Sequence, residues 1–226
     1  MALVTSESHL GIPCLVLVPQ GAEYQAVRRG LEPSNVVIMP LRAGAAAVTT
    51  PALIRALRKP PPMVLILGVC GGLRPDDGVG EVVVYTTCQD EGGQTYFLDQ
   101  TLSAKLTPAW RRVRGLTVAV PLSQAQEKQA LAARWGVEVV DMEGVPLLEA
   151  LGEIPVVMVR VISDGGDRDL PDLRQAFDAQ GNLRPWPLAI ALLRHPLAAA
   201  HLIQGSLKAL KVLQRIAPEI VRQLSR

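Results

Sequence analysis

Small residues and carboxylates follow three apolar runs of the chain, and they are the groups with which this sequence could do chemistry. The segment Gly68–Leu73 is rich in glycine, so its bare backbone amides could approach an anion or a sugar. Asp141 and Glu143 follow a second run, and Ser163 and Asp164 follow a third. Such carboxylates can exchange protons or bind hydroxyl groups. A tight turn, a stabilised helix start and a helix N-cap are the structural alternatives.

The elements that must position these groups alternate as short β-branched runs and alanine-rich helical stretches. This alternation predicts a three-layer α/β/α fold with a mixed, largely parallel central sheet, followed by C-terminal helices. In an open parallel sheet, ligands bind beyond the carboxyl ends of the strands, so we expect the three junctions to share one crevice. The predicted strands are Cys14–Val18, Val36–Met39, Val64–Gly68, Val82–Tyr85, Leu116–Val120, Val137–Val140 and Val156–Ile162, and the predicted helices are Ala45–Leu57, Glu127–Trp135, Val145–Leu151 and the chain from Pro196, with a break at Pro218.

The chain length, 226 residues, favours one main domain. We place an α/β domain at residues 1–180 and a helical extension, packed on it, at 181–226. The extension has seven Lys or Arg residues against Glu219 alone, so its net charge is about six positive. The longest uncharged stretch, 15 residues from Ser8 to Ala22, is shorter than the roughly 20 apolar residues of a membrane-spanning helix. Three separated cysteines and no Lys or Arg before Arg28 predict a cytoplasmic protein without a secretory signal.

Signatures of bound cofactors and metals are missing from the sequence. It has no Gly-x-x-x-x-Gly-Lys loop, no Gly-x-Gly-x-x-Gly after a strand, no His-Glu-x-x-His and no Cys-x-x-Cys. His195 and His201 are six residues apart, a spacing that does not share a helix face. Nucleic-acid binders usually interleave aromatic and basic residues, whereas the basic extension holds Trp186 alone. We therefore expect no metal, no cofactor and no nucleic-acid partner.

Four blocks of the sequence stand in an order and spacing that are typical of one enzyme superfamily. They are Gly68–Leu73 with Val79–Val84, Glu127-Lys128, Val137–Glu143, and Ile154–Asp164. Together they resemble the superfamily of nucleoside phosphorylases and methylthioadenosine nucleosidases, over about residues 14–170. The tail is similar to that of the hopanoid-associated phosphorylase branch, through Phe177–Asn182, Leu192–Pro196 and the long helix that follows.

The resemblance implies a role for each carboxylate. Glu143 would bind the ribose hydroxyls, and Met142 would pack on the sugar. Asp164 would protonate or hydrogen-bond a purine ring nitrogen as the N-glycosidic bond breaks through an oxocarbenium-like transition state. Glu23 lies where the nucleosidases place the carboxylate that activates water. A Glu that simply opens a helix is the alternative.

The sequence departs from the pattern of the phosphorylases at two places, and the first counts against phosphate as the nucleophile. Ile66 and Val69 stand where hexameric phosphorylases carry Arg and Ser or Thr. Arg42, in the loop after the second strand, could supply a guanidinium instead, and an exposed loop arginine is the alternative. Residues 120–124, where relatives often place an aromatic residue under the base, contain none. The other candidates for substrate binding are Cys70, Gly71 and Ser163.

The resemblance implies cleavage of the N-glycosidic bond of a purine (adenine) nucleoside with an apolar 5′ substituent, by hydrolysis or phosphorolysis. The resemblance of the tail implies an adenosyl group joined to a polycyclic lipid, adenosylhopane, as the substrate. A nucleosidase for a small nucleoside (methylthioadenosine or futalosine), an inactive nucleoside-binding relative, and a membrane-surface protein acting through its basic tail are the alternatives. We expect a homo-oligomer in the cytoplasm, with peripheral contact to a membrane through the C-terminal helices.

Overall fold

A mixed sheet of eight strands forms the centre of the computed structural model, which describes residues 14–32, 34, 36–176 and 184–226. The strands are β1 (Cys14–Pro19), β2 (Val37–Leu41), β3 (Met63–Gly72), β4 (Val82–Gln89), β5 (Thr95–Phe97), β6 (Arg111–Thr117), β7 (Val139–Asp141) and β8 (Val156–Asp164). Their order is β2-β1-β3-β7-β6-β4-β5, and β8 pairs with both β3 and β4. Five of the eight strand pairs are parallel in this part of the chain, as the prediction of a largely parallel sheet requires.

Helices cover both faces of the sheet. They are α1 (Ala22–Leu31), α2 (Pro51–Leu57), α3 (Gln100–Ser103), α4 (Ala125–Trp135), α5 (Gly144–Leu151), α6 (Pro185–Arg194) and α7 (Pro196–Leu224), with 3₁₀ helices at Gly44–Thr49 and Arg174–Ala176. One apolar core lies between the sheet and α2 and α5, and another lies between the sheet and α1 and α7. The three-layer α/β/α fold with C-terminal helices is therefore confirmed.

The C-terminal helix α7 belongs to one of these cores. Ala209, Leu213, Ile216, Ile220 and Leu224 are buried along one face of α7, at the three- and four-residue spacing of a helix that packs on a domain. The other predicted features of the extension, its start at residue 181 and the block Phe177–Asn182, lie outside the described residues. Among the described helices none is long and apolar enough to span a membrane alone, and α6 and α7 meet these criteria only as a pair bent by 120°.

The predicted mixed, largely parallel sheet is not open throughout, because part of it closes on itself. β3 pairs with β8, β8 with β4, β4 with β6, β6 with β7, and β7 returns to pair with β3. The last pair is antiparallel, so β7 arrives at the carboxyl end of β3 from the opposite direction. The crevice at these strand ends is consequently built by a closed ring of five strands.

Several predicted element bounds are wrong, for identifiable reasons. The predicted turn Gly68–Leu73 continues β3 as far as Gly72, because β7 and β8 supply backbone partners there. The strand predicted at Leu116–Val120 is β6, which begins at Arg111 and ends at Thr117. The arginines at the start of this strand interrupt the apolar pattern by which the prediction located strands. In the structure, Arg111 is neutralised by ion pairs with Asp77 and Glu81.

Two predictions about helix continuity are also wrong. The helix predicted at Ala45–Leu57 divides at Thr50 into a 3₁₀ helix and α2, because Pro51 has no N–H and suits the first turn of a new helix. The break predicted at Pro218 does not occur, and α7 continues through it. Because Pro218 has no backbone N–H, the carbonyl of Gln214, four residues earlier, lacks its helical hydrogen bond. That carbonyl lies against Gly30 of α1.

Candidate active site

The glycine-rich end of β3 brings the three predicted junctions together. Gly71 pairs with Val140 of β7 on one side and with Asp164 of β8 on the other. A Cβ atom at Gly71 would lie 3.0 Å from Val140 Cγ1 and 3.2 Å from Asp164 Oδ2. A larger residue would therefore press on the Val140 and Asp164 side chains, which would have to shift by a few tenths of an ångström.

These strand ends open into a cavity of about 760 Å³. The turn from β1 into α1 forms one part of its wall, and Leu188 of α6 with Leu202 and Leu210 of α7 forms another. The C-terminal helices thus contribute to the same cavity as the sheet. Seven of the predicted site residues line it, namely Glu23, Cys70, Gly71, Met142, Glu143, Ser163 and Asp164.

Both oxygens of Asp164 accept hydrogen bonds. Oδ1 accepts from the Ser163 hydroxyl at 2.7 Å, and Oδ2 accepts from the Lys128 ammonium at 2.5 Å. The Ser163 hydroxyl is also 3.2 Å from the Cys70 carbonyl oxygen, and Lys128 Nζ donates to the Gly165 carbonyl at 2.9 Å. These contacts fix the carboxyl group, while 14% of the Asp164 side chain remains exposed.

Lys128 is a residue that the sequence analysis missed as part of the site. It is the one buried residue of α4, a helix described over its whole length, and it is 1% exposed. A signal for this burial was present in the sequence. Leu131, Ala132 and Trp135 form the apolar stripe of α4, and Lys128 occupies the next position of that stripe toward the N-terminus.

Glu143 is fixed by the chain that follows β2. The backbone N–H of Gly44 donates to Glu143 Oε1 at 3.0 Å, and the residue is 7% exposed. Burial raises the pKa of the Glu143 carboxyl, and the Arg160 guanidinium opposes this shift. Met142, its neighbour, is half-buried on the cavity wall near Gly44. One oxygen of Glu143 is therefore bound by backbone, while the side chain still borders the cavity.

Arg160 lies behind this carboxylate and is fully buried within β8. Its Nη2 is 3.6 Å from Glu143 Oε2 and 3.9 Å from Asp141 Oδ2. Burial works against the charged guanidinium, but the two carboxylates outweigh it and hold the pKa of Arg160 above its ordinary value. Gly68 makes the room, because a Cβ atom there would overlap Arg160 Nη1 at 2.2 Å.

Glu23 enters the cavity from the first turn of α1. Gly21, at a φ of 95° that favours glycine, turns the chain from β1 into this helix. The backbone N–H of Val69 donates to Glu23 Oε1 at 2.6 Å. Burial raises the pKa of Glu23 to about 7, against the opposing effect of the Arg160 guanidinium. Glu23 is therefore a carboxyl group whose proton can leave or return near neutral pH.

Asp141 has a structural role, in line with the helix-start alternative. Its Oδ1 accepts hydrogen bonds from the Thr117 hydroxyl at 2.8 Å and from the Gly144 N–H at 2.9 Å. The Thr117 hydroxyl oxygen accepts in turn from the Val145 N–H at 3.0 Å. These bonds connect β6 and β7 to the first turn of α5 and so fix the position of Glu143.

Residues 27–185 match the phosphorylase superfamily. This chain belongs to that superfamily. The match spans more than half of the chain, so the resemblance seen in the sequence is confirmed at the level of the superfamily, and with it the prediction of an enzyme of the nucleosidase or nucleoside phosphorylase type. Comparison with curated protein sequences gave no match.

Solved structures of two kinds of nucleosidase share the fold. The 5′-methylthioadenosine/S-adenosylhomocysteine nucleosidase of Helicobacter pylori has 13% identity and a TM-score of 0.68, covering 94% of this chain and 99% of its own. The futalosine hydrolase of Helicobacter pylori has 13% identity and a TM-score of 0.63, covering 94% and 100%. The 5′-methylthioadenosine nucleosidase of Arabidopsis thaliana has 18% identity and a TM-score of 0.64, covering 94% and 96%.

The positions expected to bind phosphate in a phosphorylase are apolar or lie outside the cavity wall in this member of the superfamily. Ile66 is fully buried in the core, and Val69 lines the cavity. Arg42 is exposed and does not line the described cavity wall, although the next residue, Ala43, does. Among the described residues of the cavity wall, Lys128 is the only basic one.

Proposed function

We propose that this protein cleaves the N-glycosidic bond of a purine nucleoside, with adenine as the base and an apolar group at the 5′ position. The observation that supports this most is the presence of three carboxyl groups in different surroundings on one cavity wall. Asp164 is bound by an ammonium and a hydroxyl, Glu143 by a backbone N–H in front of a buried arginine, and Glu23 by another backbone N–H. A glycosidic cleavage needs an acid, a group that stabilises positive charge, and a base.

Each carboxyl group takes one of these roles in the proposal. Asp164 gives a proton to a purine ring nitrogen, so that the base departs neutral as the C1′–N bond breaks. Glu143 accepts hydrogen bonds from the ribose hydroxyls and stabilises the positive charge that develops on the sugar ring. Met142 packs on the sugar, while Gly71 and the Cys70 and Ser163 backbone leave space for the base beside Asp164.

Water is the proposed nucleophile, activated by Glu23. A carboxyl group with a pKa of about 7 can take a proton from water at neutral pH. Phosphate would need several fixed donors. The side chains of Ile66, Val69 and Arg42 supply none to the described cavity wall, and the Val69 N–H is already bonded to Glu23. Phosphorolysis remains the alternative, with strict phosphate dependence as its signature.

The C-terminal helices support an apolar 5′ group. Leu188, Leu202 and Leu210 line the cavity from α6 and α7, and Leu170 and Leu173 add to the same wall. Such a wall suits an alkyl or polycyclic substituent, and the resemblance of the tail to the hopanoid-associated branch favours an adenosyl group joined to a polycyclic lipid. A nucleosidase of the methylthioadenosine or futalosine type is the second candidate, because solved structures with these activities share the fold.

The outer side of α6 and the start of α7 support the proposal of a peripheral contact with an anionic membrane, and we further propose a cytoplasmic homo-oligomer. Trp186, Leu193 and Leu197 are each at least 80% exposed. The segment from Arg184 to Arg215 contains five basic residues and no acidic one, so anionic headgroups would attract it. Sedimentation with anionic and zwitterionic vesicles tests this contact. Leu193→Ser should abolish sedimentation with anionic vesicles, and equal sedimentation of the variant and the wild type would contradict the proposal.

Chromatographic detection of free purine tests the enzymatic proposal. A panel of adenosines with 5′ substituents of increasing size is incubated with the protein, with and without phosphate. We expect free adenine and a free sugar in the absence of phosphate, with faster release from the more apolar substrates. A nucleoside that binds without base release would indicate an inactive binding protein, and release that depends strictly on phosphate would indicate a phosphorylase.

A further inference from the structure

We propose that Lys128 is the source of the proton that Asp164 gives to the departing base. This inference rests on the proposed function and names a residue to which neither the resemblance nor the comparisons assign a role. It concerns the ion pair between Lys128 of α4 and Asp164 at the end of β8, whose atoms Nζ and Oδ2 are 2.5 Å apart.

The first support is the proton inventory of the ion pair. Lys128 Nζ donates to Asp164 Oδ2, so a hydrogen of the lysine already points at the carboxyl oxygen that would carry the proton. Shifting that hydrogen along the existing bond supplies Asp164 with the proton that the reaction needs.

The second support is the burial of Lys128. Its side chain is 1% exposed, and it lies in the apolar stripe of α4 beside Leu131 and Trp135. A lysine is rarely buried unless it is paired, because its charge loses the hydration of bulk water. Its observed acceptors are Asp164 Oδ2 and the Gly165 carbonyl oxygen. Both acceptors hold Nζ against the carboxyl group that borders the cavity, so Lys128 is placed to exchange a proton with Asp164 and with no other titratable group among its observed partners.

The step balances as follows. An N–H bond of Lys128 breaks and an O–H bond forms on Asp164 Oδ2. The carboxyl group then gives this proton to the purine ring nitrogen while the C1′–N bond breaks, and the bonding electron pair stays on the base. Lys128 is left as a neutral amine, Asp164 as a carboxylate and the base as a neutral molecule. The proton lost by the attacking water passes to Glu23 and then to solvent, and solvent returns a proton to Lys128.

The experiment compares two leaving groups in the full-length protein. An adenine nucleoside needs a proton on its base, whereas the 4-nitrophenyl riboside with the same 5′ group releases a phenolate that needs none. Lys128→Met keeps an apolar stem and removes the proton. We expect it to lower kcat on the adenine nucleoside by roughly 10²–10⁴-fold, the usual contribution of a general acid. Its kcat on the 4-nitrophenyl riboside should stay within about threefold of the wild-type value.

Two further variants separate the proton from charge and from structure. Lys128→Arg keeps the positive charge but holds its proton too tightly to give it, so it should lose adenine release as Lys128→Met does. Gln129 is the next residue of α4, and its side-chain amide donates to the Gly166 carbonyl at 2.9 Å, much as Lys128 holds Gly165. Gln129→Met is therefore the matched control, and it should leave the ratio of the two rates unchanged.

Equal losses of Lys128→Met on both leaving groups would overturn the inference in favour of a structural role. Wild-type adenine release by Lys128→Arg would overturn it as well, since charge alone would then suffice. In both cases the proposed function would stand, because the wild-type protein would still release adenine. If the wild-type protein cleaves neither substrate, the proposed function is wrong and the inference fails with it.

Discussion

Arg160 Nη2 lies 3.6 Å from Glu143 Oε2 inside the molecule, yet none of the three guanidinium nitrogens of Arg160 has a hydrogen-bond partner among the described residues. Its charge is balanced by Glu143 and by Asp141, and its Nη1 occupies the space that Gly68 leaves free. A buried guanidinium without direct hydrogen bonds is costly unless neighbouring carboxylates stabilise it. The position of Glu143 at the cavity therefore depends on a residue that lies behind the wall.

Gly68→Ala should disturb this arrangement. The new Cβ atom would stand 2.2 Å from Arg160 Nη1 and 2.7 Å from Glu23 Oε1, so both side chains must move within a packed core. We expect a loss of stability of about 1–3 kcal/mol, together with a loss of base release. Urea unfolding and adenine release measure the two effects. Gly78→Ala is the control, because its Cβ atom would meet nothing closer than 3.8 Å, and equal behaviour of both variants would contradict this account.

Asp164→Asn should keep the fold and lose most turnover. An amide preserves the shape of the side chain. Its single oxygen can still accept from the Lys128 ammonium, and its NH2 group can donate to the Ser163 hydroxyl oxygen, but it cannot give a proton to the base. The expected loss of kcat is roughly 10²–10⁴-fold, with a smaller change in KM. Chromatographic assay of adenine release checks this expectation, and turnover at the wild-type rate would show that Asp164 is not the acid.

Glu143→Gln should weaken both binding and rate on ribose substrates. The variant loses the negative charge that strengthens its hydrogen bonds and that opposes the positive charge on the sugar. A 2′,3′-dideoxy substrate has no hydroxyls for this carboxylate, so the variant should affect its KM little. Comparison of kcat and KM for the two substrates makes the test. Equal losses on both would indicate that Glu143 only positions the Gly44 segment.

Adenine release by hydrolysis should rise with pH through about 7, the pKa to which burial raises Glu23. A base must be ionised to accept a proton from water, so the active form is lost as pH falls below this value. A profile of kcat/KM against pH measures the rise. Glu23→Gln should be slow at every pH and should lack this limb, whereas an unchanged limb in the variant would assign the titration to another group.

The raised pKa of Glu23 also predicts how the stability of the wild-type protein depends on pH. The folded carboxyl of Glu23 holds its proton more tightly than an unfolded one, whose pKa is near 4.5. The protonated carboxyl of Glu23 therefore makes its full contribution to the free energy of unfolding below about pH 4.5. This contribution is lost as the pH rises through about 7. Urea unfolding of wild type and Glu23→Gln at pH 4 and pH 8 should show the variant gaining relative stability at the higher pH.

Turnover should increase with the length of a 5′-alkyl chain on adenosine. Each buried methylene contributes about 0.8 kcal/mol, so kcat/KM should rise roughly fourfold per methylene while the chain contacts the leucines of α6 and α7. Leu202→Asn, in the cavity wall, should flatten this increase. Leu207→Asn, on the exposed side of the same helix, is the matched control. A wild-type preference for methylthioadenosine over every longer chain would favour the small-nucleoside alternative.

The sequence by itself determined the layered fold and the three junctions of the site. These depend on local patterns, because β-branched runs and the residues directly after them form their strands and strand ends from neighbouring positions. Gly71, Glu143 and Asp164 therefore stand where their order in the chain implies. The predicted bounds were wrong where charged residues interrupt the apolar pattern, as in β6, whose first residue, Arg111, is neutralised by partners 30 and 34 residues away.

Only the tertiary structure decided which charged groups meet. Lys128 and Asp164 are 36 residues apart in the chain, and Arg160 faces Glu143 from a strand that reads as an apolar run. The pairing of β3 with β8 and β7 brings these groups together, and no local pattern encodes that geometry. Arg42 is exposed, although its residue type suited an anion site. The physical reason is the same for Lys128, Arg160 and Glu143, since a buried charge is stabilised by partners that folding alone supplies.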